Sequence, residues 1–359
     1  MPIIKFDYNE SINGKKNARI GQLATKLSAI IEESSANMND QHKLTSLLYK
    51  EATSDSATET LVIEDGYGLM SPTVAGNAPK TDKTTEIGQK VFMHIPFGKH
   101  IFFTEQMIED SKGRLSPAMS VKAKELPRAY YNTKETIAQL GYINAENDSM
   151  VFDGAKIDLT TYDGKPLFSA EHTYGHPKGH AFGTQSNLFY VVNADPSAGD
   201  IAEYLAQLAV AGRQMLNANG DPQGFNFDTL ILPGGVRSAT LQSRARSAIG
   251  SQYFPGTPNN DINTQNSQWN LGIMPLWDRA ATDDALELIV ISQEAKDQMK
   301  SMWYNRRNLT VNVWKDDLTG NLNYRGSTRF GLGHADYKHA IKLKIFKTAP
   351  ANTSGMTAL

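Results

Sequence analysis

Residues 91–117 read VFMHIPFGKHIFFTEQMIEDSKGRLSP, and this run sets the architecture. Val91, Met93, Ile95 and Phe97 alternate with Lys90, Phe92, His94 and Pro96, the two-residue period of a strand with one buried face. A short helix follows at 104–113. The Thr104 hydroxyl can accept from free backbone N–H groups, acidic residues sit inside, and Gly113 ends it. Ser116 before Pro117 then starts the longest helical segment, 116–146. Leu126, Tyr130, Thr133, Ile137 and Leu140 share one face of it. Pro127 lies inside, removes one backbone hydrogen bond, and predicts a bend or a split into two.

Upstream, residues 60–63 form a second strand, joined to the first by a loop, 65–85, rich in Gly, Pro, Thr, Asp and Lys. The result is an extended, projecting hairpin. A two-stranded hairpin is marginal alone, so this one needs a support, a neighbouring subunit being one candidate. Residues 11–50 are polar with a narrow stripe of Ile20, Leu23, Leu27, Ile30 and Ile31 at helical spacing. This helix covers little by itself and is expected to lie on another surface. The alternative is an ordinary helix packed on its own domain.

Downstream, 150–195 reads as short strands and turns. A helix starts at Ser197 with Asp200 three residues on, buries Ile201, Leu205, Leu208, Gly212 and Met215, and closes at Asn219-Gly220. A buried strand spans 227–232, and Pro233-Gly234-Gly235 leads into a helix carrying Arg237, Arg244 and Arg246. The polar loop 250–268 precedes strands at 269–277 and 285–292 and a helix at 293–303. The chain closes in β-structure: Leu309, Val311 and Val313 alternate, 316–320 turns, and 329–346 returns. The tail after Lys347 is small and polar, and is expected to be mobile. There is no internal repeat. The order predicts an α+β chain.

Composition narrows the function. With 359 residues, 40% of them hydrophobic, the chain can bury one large core or two moderate ones. A net charge of -2 argues against coating nucleic acid through a basic surface, and suits dense self-association. The absence of cysteine excludes disulfides, thiolate catalysis and cysteine-based zinc sites. The N-terminal residues show no signal region, and no apolar run approaches the ~20 residues of a membrane span. The expectation is an intracellular soluble protein.

Site-like patterns are few. His172, His176 and His180 have a density that could bind zinc, with Glu171 as a fourth ligand or its partner. Gly175, Pro177 and Gly179 argue against a helix there, so a polar surface loop fits better. Pro233-Gly234-Gly235 lacks the remaining glycines and the Lys-Ser/Thr ending of a phosphate cradle, and reads as a helix entry turn. Glu105, Glu109 and Asp110 could pair as acid and base, but better serve the start and solvated face of a helix. Arg237, Arg244 and Arg246 form a small basic patch, better suited to intersubunit ion pairs than to nucleic acid. No catalytic residue, cofactor site or firm metal site is expected.

Four segments, taken in order, resemble one family. Residues 101–111 (IFFTEQMIEDS) resemble the segment after the extended loop in major capsid proteins of the Hong Kong 97-type fold. Residues 163–172 (DGKPLFSAEH) resemble a segment of Mu-like major head subunits. Residues 227–236 (FDTLILPGGV) resemble the strand-to-helix passage of the axial domain, and 329–340 (RFGLGHADYKHA) the closing strand region. The resemblance covers roughly 55–346, and the order of the segments carries it.

It implies an α+β Hong Kong 97-like capsid fold. Residues 1–58 would be the N-terminal arm and 59–103 the extended loop. Residues 104–195 with 304–348 would be the peripheral domain, with 116–146 as its spine helix. Residues 196–303 would be the axial domain, and 349–359 a flexible tail. The implied function is a major capsid protein of a tailed bacteriophage, found in the virion and, during assembly, in the host cytoplasm. It would form hexamers and pentamers with itself. Further implied partners are scaffolding, portal and decoration proteins, with packaged DNA contacted non-specifically at most and no membrane. The short N-terminus without a coiled-coil pattern favours a separate scaffolding protein. No Lys–Asn pair is singled out for crosslinking. The alternatives are an encapsulin-type nanocompartment shell, a metal-dependent enzyme using His172, His176 and His180, and a tail or baseplate protein.

Overall fold

The computed structural model describes residues 6–8, 15–64, 70, 72–73, 75, 78, 81, 84, 86–111, 115–178, 181–253, 262–278, 285–316, 318–350, 353 and 355–359. The chain opens with strand β1 (Phe6–Tyr8), helix α1 (Lys15–Gln41), helix α2 (Leu44–Leu48) and strand β2 (Lys50–Thr53). The hairpin is β3 (Thr58–Glu64) paired antiparallel with β4 (Glu86–Met93), and β5 (Ile95–Phe103) follows at once. Next come helix α3 (Glu105–Asp110) and helix α4 (Pro117–Ile143). The two caps read from sequence form as expected: Thr104 Oγ1 accepts from Met107 N at 3.3 Å and Ser116 Oγ from Met119 N at 3.3 Å. Ser111, not Gly113, is the C-cap of α3, and Gly113 lies outside the described residues. Helix α4 runs through Pro127 as one element, so the split does not occur.

Helix α1 packs on α4 of its own chain, the second of the two placements left open. Leu23, Leu27 and Ile31 are fully buried with Met119, Ala123, Leu126 and Tyr131. A four-residue spacing stacks them on one helical face, and burying each contributes about 1.5–3 kcal/mol. The hairpin also rests on its own body along its described length. Lys90 Nζ bonds Asp158 Oδ2 at 2.7 Å, and Phe92 is buried against Met302 and Tyr304. Most of the hairpin tip, 65–85, lies outside the described residues.

After α4 come two hairpins, β6 (Ser149–Phe152) with β7 (Ala155–Asp158), and β8 (His172–Gly175) with β9 (Phe182–Gln185). Strand β10 (Leu188–Val192) and helix α5 (Ala198–Gln214) follow. A capping box joins Ser197 and Asp200 at its start, and it ends at Met215, ahead of the Asn219-Gly220 turn. Strand β11 (Thr229–Pro233), helix α6 (Ala239–Gly250), β12 (Asn270–Met274) and β13 (Ala285–Ile291) come next. A short helix, α7 (Gln293–Ala295), widens into a π-turn at Lys296–Lys300. The last strands are β14 (Ser301–Lys315), β15 (Leu322–His334), β16 (Ala340–Phe346) and β17 (Thr357–Ala358).

Two sheets organise these elements. The first has the order β1–β14–β15–β5, with β2 also on β14, and α4 and α1 cover one of its faces. The second has the order β12–β11–β13–β16–β10–β17. It is buried on both faces. Leu230, Leu232, Leu288 and Val290 meet α5 and α6, while Ile231, Ile289 and Ile291 meet Tyr142 and Trp303. Double burial explains why 229–233 reads as a continuous apolar run.

Two long-range pairings cannot be read from the sequence. Strands β10 and β16 pair with each other and, through β16, with β13 in the second sheet. Contiguity along the chain does not reveal such pairing. The tail is not free: β17 pairs with β10, and Leu359 N donates to Tyr190 O at 3.0 Å. A short edge strand needs no apolar run, because backbone groups supply its bonds.

Candidate functional site

The polar chemistry gathers where the chain crosses from one sheet to the other. Residues 331–340, GLGHADYKHA, are all buried. Strand β15 ends in the first sheet at His334, and β16 begins in the second at Ala340. Between them Asp336 Oδ2 accepts from Lys300 Nζ at 2.9 Å, and Lys338 Nζ lies 3.6 Å away. Burial pushes the Asp336 carboxyl up, but the charges of Lys300 and Lys338 prevail and hold it far below the usual range. Burial pushes the Lys338 amine down to about 8, although Asp336 opposes this.

A second cluster sits beside it. His339 Nδ1 donates to Asp336 O at 2.9 Å, which leaves Nε2 as an acceptor 2.9 Å from Tyr142 Oη. Ser301 Oγ lies 3.3 Å from the same hydroxyl and 3.2 Å from His334 Nδ1. Burial pushes His339 down to about 4 and His334 well below its ordinary value, so both rings are neutral. A third cluster ties the turn after α4 to the second sheet. Glu146 accepts from Lys342 and Lys344, both at 2.6 Å, and Glu287 lies 3.0 Å from Lys342.

These groups bond chiefly to one another. The cavity beside the crossover, about 360 Å³, has Lys300, Asp336 and Lys338 on one wall and Leu61 and Ile63 of the hairpin on the other. Its amines lie against the Asp336 carboxylate. The clusters act as joints between the two sheets. Four charged or imidazole residues within 334–339 are the signal for the crossover clusters in the sequence, inside the 329–340 segment.

The histidine group separates. His172 is fully buried, with Nδ1 on Asp163 Oδ2 at 2.8 Å and Nε2 on Leu167 O at 3.0 Å. Both ring nitrogens are therefore engaged within the fold, and neither is turned towards His176. The His172 ring stacks on Tyr337 at 3.8 Å. Asp163 also accepts from Thr161, Lys165 N and Thr173 N. Burial raises its pKa, but the His172 and Thr161 bonds outweigh that and lower it. Asp163 and His172 thus close the 163–172 loop, with Gly164 at φ +75° making the turn. His176 is half-buried and accepts from Lys178 N at 3.0 Å, and His180 lies outside the described residues. Among the described residues no group of three or more potential ligands is placed to hold a metal ion.

The remaining candidates also disperse. Glu105, Glu109 and Asp110 are exposed on α3. Arg244 pairs within its own chain, with Asp195 Oδ1 at 2.5 Å and Pro196 O at 2.7 Å. Arg237 and Arg246 are exposed on the same stretch. Gly234 and Gly235 press against Pro275 and Asp278, as the entry-turn reading requires.

No family model matches the chain, and no curated protein matches it. Solved structures do. The capsid of Ralstonia phage GP4 aligns with a TM-score of 0.50 at 10% identity, covering 85% of this chain and 88% of that one. The capsid of Cyanophage P-SCSP1u aligns with a TM-score of 0.49 at 12% identity over 84% and 87%. The capsid of Myoviridae Phage XM1 aligns with a TM-score of 0.46 at 11% identity over 84% and 92%. The chain has the α+β fold of the GP4 capsid protein, with the long helix and closing β-structure that its sequence led one to expect.

Proposed function

We propose that the chain is the major capsid protein of a tailed bacteriophage, assembling into an icosahedral head shell around double-stranded DNA. The observation that carries this is the fold shared with the GP4 capsid over most of both chains. Its physical anatomy supports the reading. Shell subunits need contacts repeated by symmetry, and modest contacts hold a closed shell because each subunit is anchored several times. The hairpin presents Val62, Val91 and Met93 to solvent on the face turned away from its own body, a surface suited to a neighbouring copy.

The division of labour follows the sheets. Residues 1–58 are the arm and 59–103 the extended loop. Strands β14 and β15 with α4 are the peripheral part. The second sheet with α5 and α6 is the axial part. Scaffolding and portal proteins are the expected partners. Negative-stain microscopy of the expressed chain, alone and with a candidate scaffolding protein, tests the reading. Uniform shells or hexameric and pentameric capsomers are expected. Monomers under every condition would refute it.

A further inference from the structure

One face of the first sheet is covered by the hairpin at its Met302–Tyr304 end, where Phe92 packs, and its other end is left open by the described elements. Direct pairing puts Arg307 opposite Arg329, Asn312 opposite Arg325, and Arg325 opposite His100, so these side chains share that face. Beyond them Trp314, Asn323 and Phe102 form the next row. His100 is stacked between the two aromatic rings, 5.7 Å from Trp314 and 6.0 Å from Phe102. Its Nε2 lies 3.0 Å from Asn323 Oδ1, so the stack is held in place. Arg307 and Arg325 are exposed, and strands β5, β14 and β15 contain no aspartate or glutamate, while β1 places Asp7 in register with Asn312.

The three arginines of this face outnumber the one acidic residue in register with them, Asp7, so an acidic surface complements it. Helix α3 supplies it. Three of its six residues, Glu105, Glu109 and Asp110, are acidic and exposed. The helix is fixed to the outer turn of the same sheet, where Asn321 Oδ1 accepts from Glu105 N at 3.2 Å. The acidic tip and the basic face therefore belong to one rigid element, yet within one chain no ion pair joins them among the described residues.

We propose that this face is a docking surface for the acidic α3 tip of a second copy of the chain. The contact is heterologous, tip to face, the kind that closes into rings. The arginines supply charge and orientation, and the Phe102–His100–Trp314 stack supplies the apolar part of the interface. The proposal rests on the shell reading and specifies one of its contacts.

Charge reversal tests it. The double variant R307E/R325E and the double variant E109K/D110K are each expected to lower the yield of shells or capsomers at least tenfold. The quadruple variant, with both charges exchanged, is expected to recover most of the yield. All four positions are exposed, so each purified variant should unfold at the wild-type temperature. Shells from R307E/R325E at wild-type yield would overturn the contact while leaving the shell reading intact. So would failure of the quadruple variant to recover. Binding of a short DNA duplex that R307E/R325E abolishes, with shell yield unchanged, would reassign the face to nucleic acid. A wild-type chain that never assembles would sink the shell reading and the contact together.

Discussion

Gly141 shows how tightly single residues are constrained. A Cβ there would collide with Tyr49 Oη and lie 3.0 Å from Leu332 Cδ1. Tyr49 is fully buried, and its hydroxyl finds no hydrogen-bond partner, so nothing but packing holds the oxygen over the helix. Gly141→Ala overpacks this point and should cost about 1–3 kcal/mol, seen as a lower Tm. Tyr49→Phe removes the offending oxygen and one orphaned polar atom. The double variant should therefore regain most of the lost Tm. A double variant as unstable as Gly141→Ala alone would refute the mechanism.

At the scale of elements, α1 and α2 behave differently although they are neighbours. Helix α1 covers α4 through Leu23, Leu27 and Ile31, whereas Leu48 and Tyr49, at the end of α2, belong to the central core with Tyr142 and Trp303. Deleting residues 1–41 should leave a folded chain of lower Tm that unfolds cooperatively. Deleting residues 1–50 removes two fully buried side chains as well and should abolish the cooperative transition. Circular dichroism melts separate the outcomes, and equal melts for the two truncations would contradict this account. A helix can be peeled from a surface, but a core residue leaves a cavity.

At the scale of the whole molecule, the two sheets meet through buried polar joints, and these predict acid sensitivity. His339 has an ordinary pKa of 6.5 that burial depresses to about 4. Between those values the unfolded chain binds the proton and the folded chain does not. Stability is therefore full above about pH 6.5 and falls as pH drops towards 4, by up to about 3 kcal/mol for this ring. His334 adds in the same direction. His339→Asn keeps a donor for Asp336 O and does not titrate, so its Tm should change less between pH 7 and pH 4.5. An unchanged acid limb would show that other groups carry it.

Much of this was legible along the chain, for local reasons. The caps at Thr104, Ser116 and Ser197, the strand at 91–93, the alternation of Leu309, Val311 and Val313, and the long helix all depend on near neighbours. Their order also sufficed to point to a capsid fold. What local pattern could not decide was partnership. The sequence by itself determined the elements and the absence of thiol chemistry. Only the tertiary structure joined β10 and β16 to the second sheet, bound the tail as β17, buried His172 between Asp163 and Leu167 O, and brought Lys300 to Asp336. Each of these is a contact between distant residues, and its energy depends on burial and geometry that spacing along a chain does not encode.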